Sequence, residues 1–439
     1  MYVRFWGTRG SIAKPGPDTL RYGGNTSCVE VRAEDGTLVV LDCGTGAHAL
    51  GRELAVTQGS RQGHLLIGHS HWDHIQGFPF FEPLFVAGSV WDVYAPGGRG
   101  RQLETTLAGQ MAYEYSPITL DALDAKVQFH DLREGVFELG SIRVTTQYLN
   151  HPALTLGYRL EADGAVLVYA TDHEPHSLYP RDAPPGTRPV HHEDRRHVRF
   201  LEGADLVVHD AQYALDEFPA RSGWGHTPVE RAVDYALIAG ARRLALFHHD
   251  PDRIDDEVDT LCAHARDRAR QASGSLEVFG AAEGWSIALE GDSEIESASG
   301  SASALLARRS EVPSTVLLVE DDRDMRRLLA LTLESEGVSV VSAADGNEAL
   351  EVARRERPSL VLLDMQLPGL HGLEVCQALR ADPDPRFCDV PILILTGERL
   401  KERDLLEAFE AGATDYLTKP IKPTLVRSRV RGWLLRSGV

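Results

Sequence analysis

The sequence predicts an α/β protein in two parts, and three observations carry that prediction. The first part is made of short apolar runs that end in Gly, Asp or His. The second alternates strictly between apolar strands and amphipathic helices. A stretch poor in aromatics and rich in Ser, Ala and Glu, GDSEIESASGSASALLARRSEVPS from Gly291, separates the two and reads as a linker. The expected division is residues 1–290, a linker at 291–313, and residues 314–439. A chain of 439 residues has room for two or three separate cores.

In the first part the runs are TLVVLDCGTG (37–46), HLLIGHSH (64–71), AVLVYATDH (165–173), DLVVHDA (205–211) and RLALFHHD (243–250). Each reads as a buried strand whose C-terminal end delivers a polar residue. Helical stretches fall between some of them. One is TPVERAVDYALIAGA (227–241), where Val229, Ala232, Val233 and Ala236 share a face. Polar residues gathered at strand ends are where α/β proteins build their sites.

Composition narrows the function. The formal charge is −20. From Pro313 onward 17 cationic residues stand against 21 acidic ones, which leaves −16 for the first part. Such a field repels polyanions and argues against a long nucleic-acid substrate. The cysteines Cys28, Cys43, Cys262, Cys376 and Cys388 are scattered, with no Cys-x-x-Cys pair. That pattern argues against a disulfide framework or cysteine zinc knuckle and suits a reducing compartment. The opening MYVRFWGTRGS has no apolar signal core, and no apolar run is long enough to span a bilayer. The expectation is a cytoplasmic protein without a membrane span.

The densest chemistry is GHSHWDHIQG (68–77), which places His69, His71, Asp73 and His74 within six residues. Neutral imidazoles bind borderline divalent metals, and a carboxylate adds charge neutralisation. This motif resembles that of the metallo-β-lactamase superfamily, and the resemblance continues along nearly all of residues 1–290. FWGTRGSIAKPGPDTLRYGGNTSCVEV resembles the glycine-bearing first hairpins of its phosphodiesterase-like branch. LDCGTG is similar to the family's Asp-x-Gly turn, with Asp42 in a structural role. NHP, ATDH and LFHHDP supply His151, Asp172 and His248.

The resemblance implies an αββα sandwich and two divalent ions, zinc first, with manganese or iron as alternatives. His69, His71 and His151 would hold one ion, Asp73, His74 and His248 the other. Asp172 would bridge them, and Asp73 would also serve the chemistry. His173 and His249 are the alternatives one residue out of register.

VVHDAQY (207–213) and GHTP (225–228) resemble the His-Glu-Ala-Thr and Gly-His-Ser-Thr elements of ribonuclease Z. The first has Asp210 where that enzyme has glutamate. By this resemblance His226 donates a proton or stabilises charge at the phosphate, and Asp210 orients its ring. The long Gly/Pro-rich basic arm suited to gripping tRNA is missing. HEPHSLYPRDAPPGTRPVHHEDRRHVRF (173–200) stands instead, reading as a loop that covers the site and contacts a phosphate, or as a solvated surface loop. A small diester such as a cyclic nucleotide is therefore the expected substrate. Two rival readings remain: a thioester, lactam or lactone hydrolase of the same superfamily, and a di-iron oxygen- or redox-sensing module.

In the second part, strands TVLLVEDD, VSVVSAAD, SLVLLDM, PILILTG and DYLTKP alternate with five helical segments. That order predicts a doubly wound parallel (βα)5 sheet. Glu320, Asp321, Asp364, Thr396 and Lys419 all fall at strand C-termini, which face one crevice. The ordered set resembles a response-regulator receiver domain over about residues 314–437. The resemblance implies that Asp364 accepts a phosphoryl group. Glu320, Asp321 and the backbone carbonyl of Gln366 would hold Mg²⁺, with Asp322 just outside. Thr396 and Tyr416 would be the switch pair, with Lys419 completing the site.

The implied partner is a sensor histidine kinase or phosphotransfer protein. The expectation includes no DNA-binding module, so the output falls to the upstream domain or to a partner. The basic stretch RSRVRGWLLR (427–436) is a candidate homodimer or partner surface, or a solvated helix face.

Overall fold

The computed structural model describes residues 1–56, 62–97, 102–176, 183–272, 275–290, 314–335, 337–397, 407–421 and 423–436. The chain divides into two compact units, Met1–Arg308 and Arg309–Val439. The expected linker, 291–313, lies outside the described residues.

In the first unit the strands are β1 (Tyr2–Gly7), β2 (Cys28–Arg32), β3 (Leu38–Leu41), β4 (Gln62–Leu66), β5 (Val90–Pro96), β6 (Lys126–Leu132), β7 (Gly135–Leu139), β8 (Ile142–Leu149), β9 (Thr155–Ala162), β10 (Ala165–Ala170), β11 (Leu206–Asp210), β12 (Arg243–Phe247), β13 (Glu277–Gly280) and β14 (Ser286–Ala288). They form two seven-stranded sheets, ordered β14-β1-β2-β3-β4-β5-β6 and β13-β12-β11-β10-β9-β8-β7. Pairing is parallel from β3 to β6 and from β10 to β13, and antiparallel elsewhere.

The apolar runs are nearly continuous because these strands are buried on both faces. In β3, Leu38 and Val40 face α1 (Ala47–Val56), in a core with Trp91, Val93 and Phe81 that α3 (Gln102–Gln110) joins through Leu103 and Leu107. The alternate residues Val39 and Leu41 are equally buried. In β10 and β12, Val168, Leu244 and Leu246 face α4 (His192–Leu201), α5 (Val229–Ile238) and α6 (Asp255–Gln271). Phe5 of the first sheet meets Phe247 of the second at 6.2 Å between ring centroids. The layers therefore run helix, sheet, sheet, helix, with β8, β10, β11 and β12 ending at one edge of the second sheet.

One expectation fails. Residues 173–200 are not a single loop, because α4 begins at His192. The His191 side chain accepts the Glu193 N–H, and Glu193 and Asp194 occupy the first turn, where the helix dipole favours acids. His197, Val198 and Leu201 then turn inward together. A polar composition hid the helix because two of its inward positions are histidine and aspartate. The expected loop's residues 177–182 lie outside the described residues.

The second unit is one parallel sheet ordered β16-β15-β17-β18-β19, built from β15 (Thr315–Val319), β16 (Ser339–Ala343), β17 (Leu360–Asp364), β18 (Ile392–Thr396) and β19 (Asp415–Thr418). Helices Arg323–Glu334, Gly346–Glu356, Gly372–Arg380 and Pro423–Arg436 follow β15, β16, β17 and β19. A short helix, Arg386–Asp389, precedes β18. After β18, residues 407–410 are helical, and 398–406 lie outside the described residues. Among the described residues no helix is long and apolar enough to cross a membrane.

Candidate metal centre and phosphoacceptor site

Every metal-ligand candidate of the first unit lies just past a strand. His69, His71, Asp73 and His74 follow β4, with Asp73 and His74 on the one-turn helix α2 (Trp72–Ile75). His151 follows β8, Asp172 follows β10, and His248 follows β12. Asp172 and His248 have left-handed backbones, φ 63° and 57°, as does Asp42 beyond β3 at 59°. Such a conformation is uncommon outside glycine and turns each side chain out of the strand direction.

The seven converge. Ligand atoms of His69, His71 and His151 lie within 4.8 Å of one another, and so do those of Asp73, His74 and His248. Asp172 Oδ2 is 3.2 Å from His74 Nε2 and 3.4 Å from His248 Nε2, while its Oδ1 is 3.9 Å from His151 Nε2. One carboxylate thus reaches both groups. His69 is fully buried, and neither of its ring nitrogens has a hydrogen-bond partner. A buried imidazole left in that state is costly unless its lone pair is taken by a metal ion. The donor set of imidazoles and carboxylates fits two borderline divalent cations.

Protonation reflects the same demand for cations. Burial holds His69 well below the usual histidine range, aided by neighbouring imidazoles, lowers His71, and takes His151 down to about 3. Burial also opposes charge on His74 and His248, but carboxylates outweigh it and raise both. For His74 these are Asp73, Asp42 and Asp172; for His248, Asp172 and Asp73. In return, despite burial, Asp73 and Asp172 are held well below the carboxylate range.

The register alternatives point elsewhere. His249 donates Nε2–H to the Ala281 carbonyl at 2.9 Å, and His173 stacks on His197 at 3.9 Å.

Other residues hold the ligands in place, and sequence reading assigned only Asp42 among them. Asp42 accepts hydrogen bonds from Gly68 N–H (2.7 Å) and Tyr169 Oη (2.6 Å) and meets His74 Nδ1 at 2.7 Å. It therefore directs His74 Nε2 into the cluster. Ser11 N–H donates to Asp73 Oδ2 at 2.8 Å. Gly10 lets that segment pass His248, since a Cβ there would lie 2.3 Å from Nδ1. Gly225, at φ 93°, brings its carbonyl within 3.0 Å of His151 Nδ1.

Beside the cluster, His226 Nδ1 lies 3.3 Å from Asp210 Oδ2 and 3.7 Å from Asp172 Oδ1. Asp210 is fully buried and takes the Thr227 N–H at 2.9 Å. Burial works against its charge, but the adjacent His209 and His226 rings prevail and its pKa is lowered.

In the second unit, Lys419 Nζ donates to Asp364 Oδ2 (2.8 Å) and Glu320 Oε2 (2.9 Å). Burial would strip the lysine's charge, yet the two carboxylates raise its pKa overall. Glu320, Asp321 and Asp364 gather within 4.8 Å, a hard oxygen set suited to Mg²⁺. Gln366 contributes its amide, which donates to Asp364 Oδ1 at 3.2 Å. Asp322 instead caps the next helix by accepting the Met325 N–H. Thr396 ends β18 and is buried; Tyr416 is half-buried on β19, edge-on to Phe409 at 6.2 Å.

Two outcomes follow for the first unit. Asp42→Ala is expected to weaken metal affinity about 10- to 100-fold, by freeing the His74 ring; competition with a chelator checks it. In the metal-free protein, the raised values of His74 and His248 stabilise the fold fully below the ordinary histidine pKa. That contribution is lost as pH rises through the raised folded values. The thermal midpoint of chelated protein should therefore fall with rising pH over this range more than that of metal-loaded protein.

Residues 37–249 match the family model described as Beta-lactamase superfamily domain, and residues 316–431 that described as Response regulator receiver domain. Over 122 residues the chain is 41% identical to DNA-binding response regulator MtrA of Mycobacterium tuberculosis (strain ATCC 25618 / H37Rv), covering 28% of this chain and 51% of that protein. The chain spans about half the length of the curated relatives it matches. Among solved structures it is similar to the metallo-beta-lactamase fold protein YhfI from Bacillus subtilis, 18% identical, covering 65% of this chain and 99% of that one, TM-score 0.46. It is also similar to human tRNase Z, short form (ELAC1), 19% identical, covering 66% and 99%, TM-score 0.45. The chain thus joins a beta-lactamase superfamily domain to a response regulator receiver domain.

Proposed function

We propose that the first domain is a two-metal hydrolase of small phosphodiesters, a cyclic nucleotide being the expected size, and that phosphorylation of Asp364 regulates it. The observation that carries this reading is the Asp172 carboxylate reaching both ligand groups, with the His226–Asp210 pair alongside. Ions held by His69, His71 and His151 and by Asp73, His74 and His248 would lower the pKa of a shared water and offset charge on a phosphoryl oxygen.

The protein's own groups supply the rest. Asp210, anionic and buried, faces His226 Nδ1 at 3.3 Å and so orients the ring with Nε2 turned away from it. Nε2 is then the atom offered to the leaving oxygen, in a general-acid role. Asp42 and Ser11 keep His74 and Asp73 aimed inward. The first part's net charge of −16 supports a small substrate over a long polyanion.

In the receiver, Lys419 already spans Asp364 and Glu320. It is placed to neutralise an aspartyl phosphate, with Mg²⁺ on the acidic triad. A sensor histidine kinase or phosphotransfer protein would be the phosphoryl donor.

The test is hydrolysis of a chromogenic phosphodiester by metal-loaded protein. His71→Ala should lose metal and turnover together. His226→Ala should keep its metal and lose about 10²- to 10³-fold in kcat. Asp364→Asn should abolish labelling by a small phosphodonor and any change in turnover that the donor causes. A protein shown to hold two metals that turns over no diester refutes the reading.

A further inference from the structure

Two tryptophans near the ligand candidates are largely exposed. Trp72 is 70% exposed and Trp224 57%; Trp6, Trp91 and Trp433 are buried, and Trp285, 53% exposed, lies against Phe279 at 5.9 Å between ring centroids. Trp72 follows His71, itself exposed, and opens α2. Trp224 precedes Gly225, whose carbonyl meets His151 Nδ1. His71 Nδ1 and His151 Nε2 are 3.3 Å apart, so both indoles spring from backbone beside adjoining ligand candidates.

The backbone under each is fixed. Buried Glu174 accepts the N–H groups of Gly223 (2.9 Å) and Gly225 (2.7 Å), clamping the chain on both sides of Trp224. Trp72 lies between His71 and Asp73, and Asp73 is tied to the Ser11 amide. The next residue, Ile12, is 59% exposed and extends the apolar rim. A large aromatic held out on a rigid backbone loses little freedom when a ligand covers it.

Its chemistry selects a flat partner. Indole faces stack on nucleobases with little regard to sequence. A base lies within one nucleoside's length of its phosphate, and the domain's acidity disfavours a longer strand. We propose that Trp72 and Trp224 grip the nucleobase of a one- or two-nucleotide phosphodiester whose phosphate occupies the His/Asp cluster. This rests on the diesterase reading and adds to it the residues that hold the base.

The test compares binding of AMP and ribose 5-phosphate to metal-loaded, full-length protein by calorimetry. Wild type should favour AMP by about 5- to 150-fold. The double variant Trp72→Ala/Trp224→Ala should bring that ratio near one with metal content unchanged, and Trp224→Phe should retain most of it. Equal binding of the two probes, binding of neither, a preference that survives in the double variant, or loss of metal in it would each overturn the proposal. A protein that shows the base preference yet hydrolyses no diester would refute the hydrolytic reading and leave the base platform standing.

Discussion

The first domain is organised around buried charge that must be balanced. Asp42, Asp73 and Asp172 lie in a space almost closed to water, where an unpaired carboxylate is prohibitively costly. Imidazoles crowd that space and its mouth: His69 lies 4.3 Å, ring to ring, from the exposed His71 and 4.2 and 4.7 Å from the buried His74 and His151. Neither set is stable there without the other, or without cations between them. That requirement explains the left-handed turns at Asp42, Asp172 and His248, the close passage of Gly10, and the tyrosine hydroxyl on Asp42.

The receiver solves a related problem with looser means. Its acidic triad keeps Asp321 exposed, and a lysine supplies the counter-charge directly. The contrast suits the two kinds of ion. Imidazoles and carboxylates in a mostly buried space suit a borderline metal, whereas Mg²⁺ keeps several waters and suits a more open one. Both sites nevertheless sit where strand C-termini converge.

Much of this was legible in the sequence. Apolar runs ending in a polar residue marked β3, β4, β10, β11 and β12, because strands buried on both faces are written almost without interruption. The motif at 68–74 named four ligand candidates by proximity alone, and the family resemblance named the other three. What was hidden had no periodic or compositional signature. Glu174 acts by accepting two amides from a loop about fifty residues away, and Ser11 by donating its backbone N–H. Helix α4 was missed because His197 and Asp194 face inward, where the pattern rule expects apolar residues. Tertiary partners decide such positions.

The ligand set also has a mechanical meaning. His69, His71, Asp73 and His74 come from the end of one sheet, and His151, Asp172 and His248 from the other. Tyr169 of the second sheet reaches Asp42 of the first, and Tyr158 reaches the Ile67 carbonyl at 2.7 Å. Cations seated between the sheets would act as rivets through both plates. Parting the plates and emptying the site then become a single event, so ion affinity and cohesion of the sandwich are two readings of one free energy.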